Sequence, residues 1–123
     1  MDKKRHAFAN QKGGVGKTAT VLGLGSAISH RGGKALIVDM DPQANATEGL
    51  GIYTADGQPT TADLMSRTEA GSALDAVVAT DWDGIDLIPS HLDLSNAESS
   101  GESDLVFRLD VAFEGLDLSP YDA

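Results

Sequence analysis

The run Asn10-Gln11-Lys12-Gly13-Gly14-Val15-Gly16-Lys17-Thr18 constrains this chain more than any other stretch of its 123 residues. Gly13, Gly14 and Gly16 carry no Cβ, so the backbone can curl and aim consecutive N–H groups at an anion. Lys17 adds a mobile positive charge, and Thr18 a hydroxyl that can ligate Mg2+. The usual phosphate-loop pattern is G-x-x-x-x-G-K-[ST], and here Gln11 stands where its first glycine would be. A second lysine, Lys12, has entered the loop.

The flanks fit such a loop. His6 to Ala9 is a short apolar-leaning run that suits a buried strand leading into it. From Lys17 the pattern turns helical, with Ala19, Val21, Leu22, Leu24, Ala27 and Ile28 forming a broad apolar stripe. Gly23 and Gly25 each cost roughly 1 kcal/mol of helix propensity relative to Ala, which points to a closely approaching element or to simple tolerance. His30-Arg31-Gly32-Gly33 stops the helix with positive charge and glycine. Ala35-Leu36-Ile37-Val38, bounded by Gly33 and Asp39, predicts a strand buried on both faces. Strand, loop, helix and strand make a βαβ unit with a parallel, right-handed crossover. Ligands bind such folds beyond the carboxyl ends of the strands, where the glycine loop and Asp39-Met40-Asp41-Pro42-Gln43 should meet.

Further along, Asn45 to Ile52 predicts a short helical turn or loop, and Ala55 to Pro59 a loop. Thr60 or Thr61 can cap a helix beginning at Ala62, and a further helical stretch is expected over Ala73 to Ala79. Asp81-Trp82-Asp83-Gly84 predicts a turn, with Trp82 packing in the core or at its edge, and Ile85 to Pro89 a strand closed by proline. Asp93 to Asp104 is polar, with a loop at Ser99-Ser100-Gly101. Leu105 to Leu116 carries the spacing of a final amphipathic helix.

Composition limits the function classes. Nineteen acidic residues against nine basic ones give a net charge of -10, which opposes non-specific nucleic-acid binding by these residues as a whole and suits a solubilising surface. The absence of cysteine excludes disulfides, thiolate metal sites and cysteine nucleophiles. His6, His30 and His91 show no metal-ligand spacing. No apolar run reaches transmembrane length, and no long apolar segment follows the basic start Met1 to His6; the expectation is a cytoplasmic protein with no membrane partner.

The glycine run closely resembles the deviant Walker A loop of the ParA/Soj partition ATPases, within the wider ParA/MinD superfamily. Asp39-Met40-Asp41-Pro42-Gln43-Ala44-Asn45-Ala46-Thr47, followed by Gly49-Leu50-Gly51, resembles that family's second signature. The resemblance is strongest from Ala7 to Ile52, and beyond Thr60 it rests on the order of elements. It implies an α/β, P-loop NTPase-like fold with a mostly parallel sheet flanked by helices. In the family a Tyr-Asp pair like Tyr121-Asp122 leads into a strand ending in the Walker B aspartate, and no such strand follows Ala123. The expectation is that residues 1–123 form the N-terminal part of a single ParA-type domain, truncated before the Walker B strand.

The resemblance also implies roles. Backbone groups of Gly13, Gly14, Val15, Gly16 and Lys17 would cradle the phosphates of ATP, Lys17 would neutralise the β/γ oxygens, and Thr18 would bind Mg2+. Lys12 beside Lys17 is unfavourable unless phosphate lies between them; it matches the signature lysine that reaches the partner subunit's nucleotide across an ATP-sandwich homodimer. Asp41 matches the aspartate that orients or activates the attacking water, and Asp39 the one near Mg2+ and the phosphate-loop lysine. Gln43 and Asn45 are expected only to shape this loop and contact the partner chain. The implied function is Mg-ATP hydrolysis for plasmid or chromosome partitioning, with a ParB-like centromere-binding protein and with non-specific DNA held by the missing C-terminal half. The alternatives are a ParA-like ATPase positioning another cargo and a truncated, non-catalytic nucleotide-binding or interaction fragment, for which weak or no hydrolysis is expected.

Overall fold

Helix α1 (Lys17–His30) ends where the glycines say it should. Gly32, at φ +80°, takes the left-handed conformation, its N–H donating to Ser29 O and that of Gly33 to Ile28 O, both at 2.9 Å. These are the paired bonds of a Schellman turn, and they send the chain straight back into strand β1 (Ala35–Val38). The computed structural model describes residues 16–54, 57–66, 69–94 and 102–123, so the expected strand at His6 to Ala9 lies outside the described residues.

Helix α2 (Asn45–Gly49) follows β1, then α3 (Thr61–Ser66), α4 (Ala73–Ala76), the short strand β2 (Val78–Ala79), β3 (Ile85–Ile88) and α5 (Glu102–Ala112). The sheet has the order β1-β3-β2. β1 and β3 run parallel with Ala35 opposite Ile85 and Val38 opposite Ile88, while β2 pairs antiparallel to β3. Thr60 precedes α3, and the Asp63 carboxylate accepts the Thr60 N–H at 2.8 Å, one half of a capping box.

The pleat of β1 and β3 divides the core into two layers. Ala35, Ile37, Ile85 and Leu87 pack with Leu50 against Val21, Leu22 and Ile28 of α1. On the opposite face Ile88 joins Leu64, Met65, Ala73, Ala76, Leu94 and Ala112, with Leu36 and Val38 packed against them. β1 is therefore covered on both faces, completely on the α1 side and partly on the other.

Three expectations are corrected. The stretch Ala73 to Ala79 is not one helix: it ends at Ala76, Val77 turns extended (φ -72°, ψ 128°), and Val78 and Ala79 pair with β3. A bare strand edge offered backbone hydrogen bonds, and pairing suits β-branched valine better than another helical turn. The apolar stripe of α1 also divides: Val21, Leu22 and Ile28 pack on the sheet, while Ala19, Leu24 and Ala27 are exposed. The last helix begins at Glu102 and stops at Ala112, with Phe113 and Leu116 still packed on the core after a turn. Trp82 stands at the edge of the core, one of the two places its sequence context allowed, 39% exposed.

Candidate functional site

The start of α1 has no side-chain cap. Gly16 occupies the N-cap position at φ 70°, ψ -4°, a conformation that L side chains rarely adopt, although a Cβ there would meet nothing within 4 Å. Thr20 holds the Gly16 carbonyl through its N–H at 2.9 Å and its hydroxyl at 2.7 Å. Among the described residues no side chain caps the positive end of this fourteen-residue helix, an end that suits an anion, and Lys17 and Thr18, both half-buried, stand in its first turn.

α1 runs antiparallel to β1, which brings this end over the carboxyl edge of the sheet. Its contacts step along the strand: Ile28 lies against Gly33 before β1, Gly25 faces Ile37 and Ile85, and Leu22 lies against Gly49 beyond it. Asp39 and Asp41 leave β1 at that same edge. The sequence-predicted residues Gly16, Lys17 and Thr18 therefore open a helix above the strand end that carries the two aspartates. Lys12, Gly13, Gly14 and Val15 lie outside the described residues.

Asp39 is 4% exposed and hydrogen-bonded on both oxygens. Its Oδ1 accepts the Asp41 N–H at 3.0 Å; its Oδ2 accepts the Thr47 N–H at 2.9 Å and the Thr47 hydroxyl at 2.6 Å. Its backbone carbonyl accepts the Thr61 hydroxyl at 2.8 Å. Such a set satisfies a buried carboxylate without a neighbouring cation.

Asp41 is half-buried and held locally. Its Oδ1 accepts the Gln43 N–H at 3.0 Å and its Oδ2 the Asn45 side-chain amide at 2.8 Å, which leaves lone pairs on both oxygens for a water. Its backbone carbonyl accepts the Ser90 hydroxyl at 2.5 Å and the Ala44 N–H at 2.8 Å. Sequence reasoning gave no site role to Thr47 or Ser90, and offered Thr61 only as a helix cap. Threonines and serines after strands are too common to signal a network with links that span 22, 43 and 49 residues.

A family model described as AAA domain matches residues 3–106. Over 92 residues the chain is 42% identical to sporulation initiation inhibitor protein Soj of Bacillus subtilis and 44% identical to chromosome partitioning protein ParA of Caulobacter vibrioides. The chain belongs to the AAA domain family, in its ParA/Soj branch. These two alignments cover 75% of this chain and 36% and 34% of the relatives. The chromosome-partitioning ATPase Soj of Thermus thermophilus is 38% identical over 122 residues, covering 98% of this chain and 45% of that protein. The chain therefore spans between about a third and just under half of the length of these ParA/Soj relatives.

Solved structures agree on the fold. Cobyrinic acid a,c-diamide synthase from Mycobacterium smegmatis, with bound ATP analog and magnesium, is similar at 37% identity and a TM-score of 0.68, covering 85% of this chain and 42% of that one. A plasmid partition protein from Borrelia burgdorferi has a TM-score of 0.68 at 25% identity, covering 85% of this chain and 46% of that one. The ParA/Soj fold class is α/β and P-loop-like, and the antiparallel β2 makes the described sheet mixed. Among the described residues no helix is long and apolar enough to cross a membrane.

Proposed function

We propose that this chain carries the nucleotide-binding portion of a cytoplasmic, Mg-ATP-dependent partition ATPase. One observation carries the reading: Gly16, Lys17 and Thr18 open an uncapped helix at the sheet edge from which Asp39 and Asp41 emerge. The residues present fit the group. An open helix N-terminus with a lysine suits phosphate oxygens, and Mg2+ bound with a nucleotide takes few protein ligands. Thr18 would supply one, with Asp39 close to the metal through its hydrogen-bonded loop.

Bound ATP and Mg2+ supply the transferable phosphoryl group and the counter-charge on it. The chain's own residues do the rest. The backbone from Gly13 to Lys17 holds the phosphates, and Lys17 neutralises the β/γ oxygens. Asp41 accepts a hydrogen bond from the attacking water and orients it, its carboxylate already steadied by Asn45 and Gln43. Lys12 reaches the nucleotide of a second copy in an ATP-dependent homodimer. Coupling to a ParB-like partner and to non-specific DNA belongs to the whole protein, as in the partition proteins it resembles.

Two measurements test this. A fluorescent ATP analogue with Mg2+ should bind the protein, and Lys17→Ala should weaken binding at least tenfold. In the whole protein Lys12→Ala and Asp41→Ala should each abolish partner-stimulated hydrolysis, and normal turnover in both would overturn the assignment.

A further inference from the structure

We propose that Thr47 and Ser90 are positioning residues for Asp41, clamping its loop to the sheet through a closed ring of hydrogen bonds centred on buried Asp39, Thr47 and Ser90. This rests on the reading of Asp41 as the water-orienting carboxylate.

The bonds that Gln43 and Asn45 make to Asp41 lie within the loop and would travel with it. The ring does not. The Asp41 N–H donates to Asp39 Oδ1, and the Ser90 hydroxyl donates to the Asp41 carbonyl at 2.5 Å. The Ser90 N–H donates to Thr47 Oγ1 at 3.0 Å, and that hydroxyl donates to Asp39 Oδ2 at 2.6 Å, which closes the circuit. Three separate segments meet in it: the end of β1, helix α2 and the residue pair after β3.

Chemistry fixes the direction of every link. An ionised carboxylate only accepts and an amide N–H only donates, so the single Thr47 proton must go to Asp39 and its lone pair must face Ser90. The Ser90 hydroxyl, facing a carbonyl, must donate. No member can rotate without breaking a partner's bond. Thr47 is 3% and Ser90 2% exposed, so water is poorly placed to replace a lost link. A satisfied polar ring with three of its four residues buried holds one geometry, which a group that must present a water in a fixed direction requires.

The ring could instead serve only to stabilise the fold, so the test separates the two. In the whole protein, Ser90→Ala removes the link to the Asp41 carbonyl and nothing else in the ring. Thr47→Val keeps the side-chain shape and removes the hub hydroxyl, and Thr47→Ser restores it. We expect Ser90→Ala and Thr47→Val to raise amide hydrogen exchange over residues 41–45 at least tenfold without nucleotide. Binding of the fluorescent ATP analogue with Mg2+ should stay within threefold, while saturated hydrolysis falls tenfold or more. Thr47→Ser should recover both exchange protection and rate. Unchanged loop exchange in a folded Ser90→Ala protein would overturn the proposal, as would faster exchange with an unchanged saturated rate. Asp41→Ala separates the two readings: if it hydrolyses normally, the role of Asp41 has failed, whatever the loop does.

Discussion

The phenol of Tyr121 donates a 2.6 Å hydrogen bond to Asp86 Oδ2, tying the last residues of the chain to the middle of β3. Lys34 joins them, its Nζ 3.3 Å from the same oxygen and 5.2 Å from the centre of the Tyr121 ring. Beside this cluster the Lys34 N–H donates to Asp122 Oδ2 at 2.8 Å, and the Leu36 N–H to the Ala123 carbonyl at 2.9 Å. Residues 121–123 therefore lie along β1 on the edge away from β3, with Ala123 set parallel to Ala35.

That cluster gives stability a pH dependence. Burial, then the bond and the charge of Asp86, push the Tyr121 phenol up to about 12 from an ordinary value of 10.0. The native state holds the proton more tightly than the unfolded chain, so the contribution is complete below pH 10 and is lost as pH rises from 10 toward 12. Urea melts at pH 8 and pH 11 should show a larger loss for the native sequence than for Tyr121→Phe. Equal losses would remove Tyr121 from the account.

Asp39→Ala should cost about 3 kcal/mol of folding stability. The change strips partners from the N–H groups of Asp41 and Thr47 and from the Thr47 hydroxyl, at a site that is 4% exposed. Chemical denaturation checks this, and a loss below about 1 kcal/mol would mean that the loop rearranges or admits water.

Ala44→Gly should stabilise the protein. Ala44 sits at φ 56°, ψ 37°, in the left-handed region, before α2. That conformation costs a non-glycine residue about 1–2 kcal/mol, of which the greater unfolded freedom of glycine returns about 0.5–1. A net gain of about 0.5–1 kcal/mol is expected in equilibrium melts.

The two helix glycines should respond in opposite directions. A Cβ on Gly23 would meet nothing within 4 Å, so Gly23→Ala should add about 0.5–1 kcal/mol through helix propensity. A Cβ on Gly25 would lie 3.2 Å from Ile85 Cδ1 and 3.3 Å from Ile37 Cδ1. Gly25→Val should therefore cost about 1–3 kcal/mol by overpacking. Thermal melts of the two variants give the comparison directly.

Much of the frame was legible because its signals are local. The bounds of α1 follow from Gly16 and the Gly32-Gly33 stop, β1 from four apolar residues between Gly33 and Asp39, and β3 from Ile85 to Ile88 before Pro89. Expectations failed where a neighbour decided the outcome. Val78 and Ala79 became a strand because β3 presented an edge to them. The glycine question in α1 is a matter of packing too: Gly25 touches the sheet and Gly23 does not, a difference set by helical phase against β1 and β3.

At the site, sequence alone determined which chemistry is on offer: a glycine-lysine-threonine turn before a helix, and two aspartates leaving the next strand. Those assignments rest on residue type and short spacing, which the chain carries without folding. Only the tertiary structure decided how the second aspartate is held. Thr47 and Ser90 are 43 residues apart, and nothing in their neighbourhoods announces that one hydroxyl will lie between an amide and Asp39. Hydrogen bonds are directional over about 3 Å, so such a ring exists only once packing has brought β1, α2 and the end of β3 together.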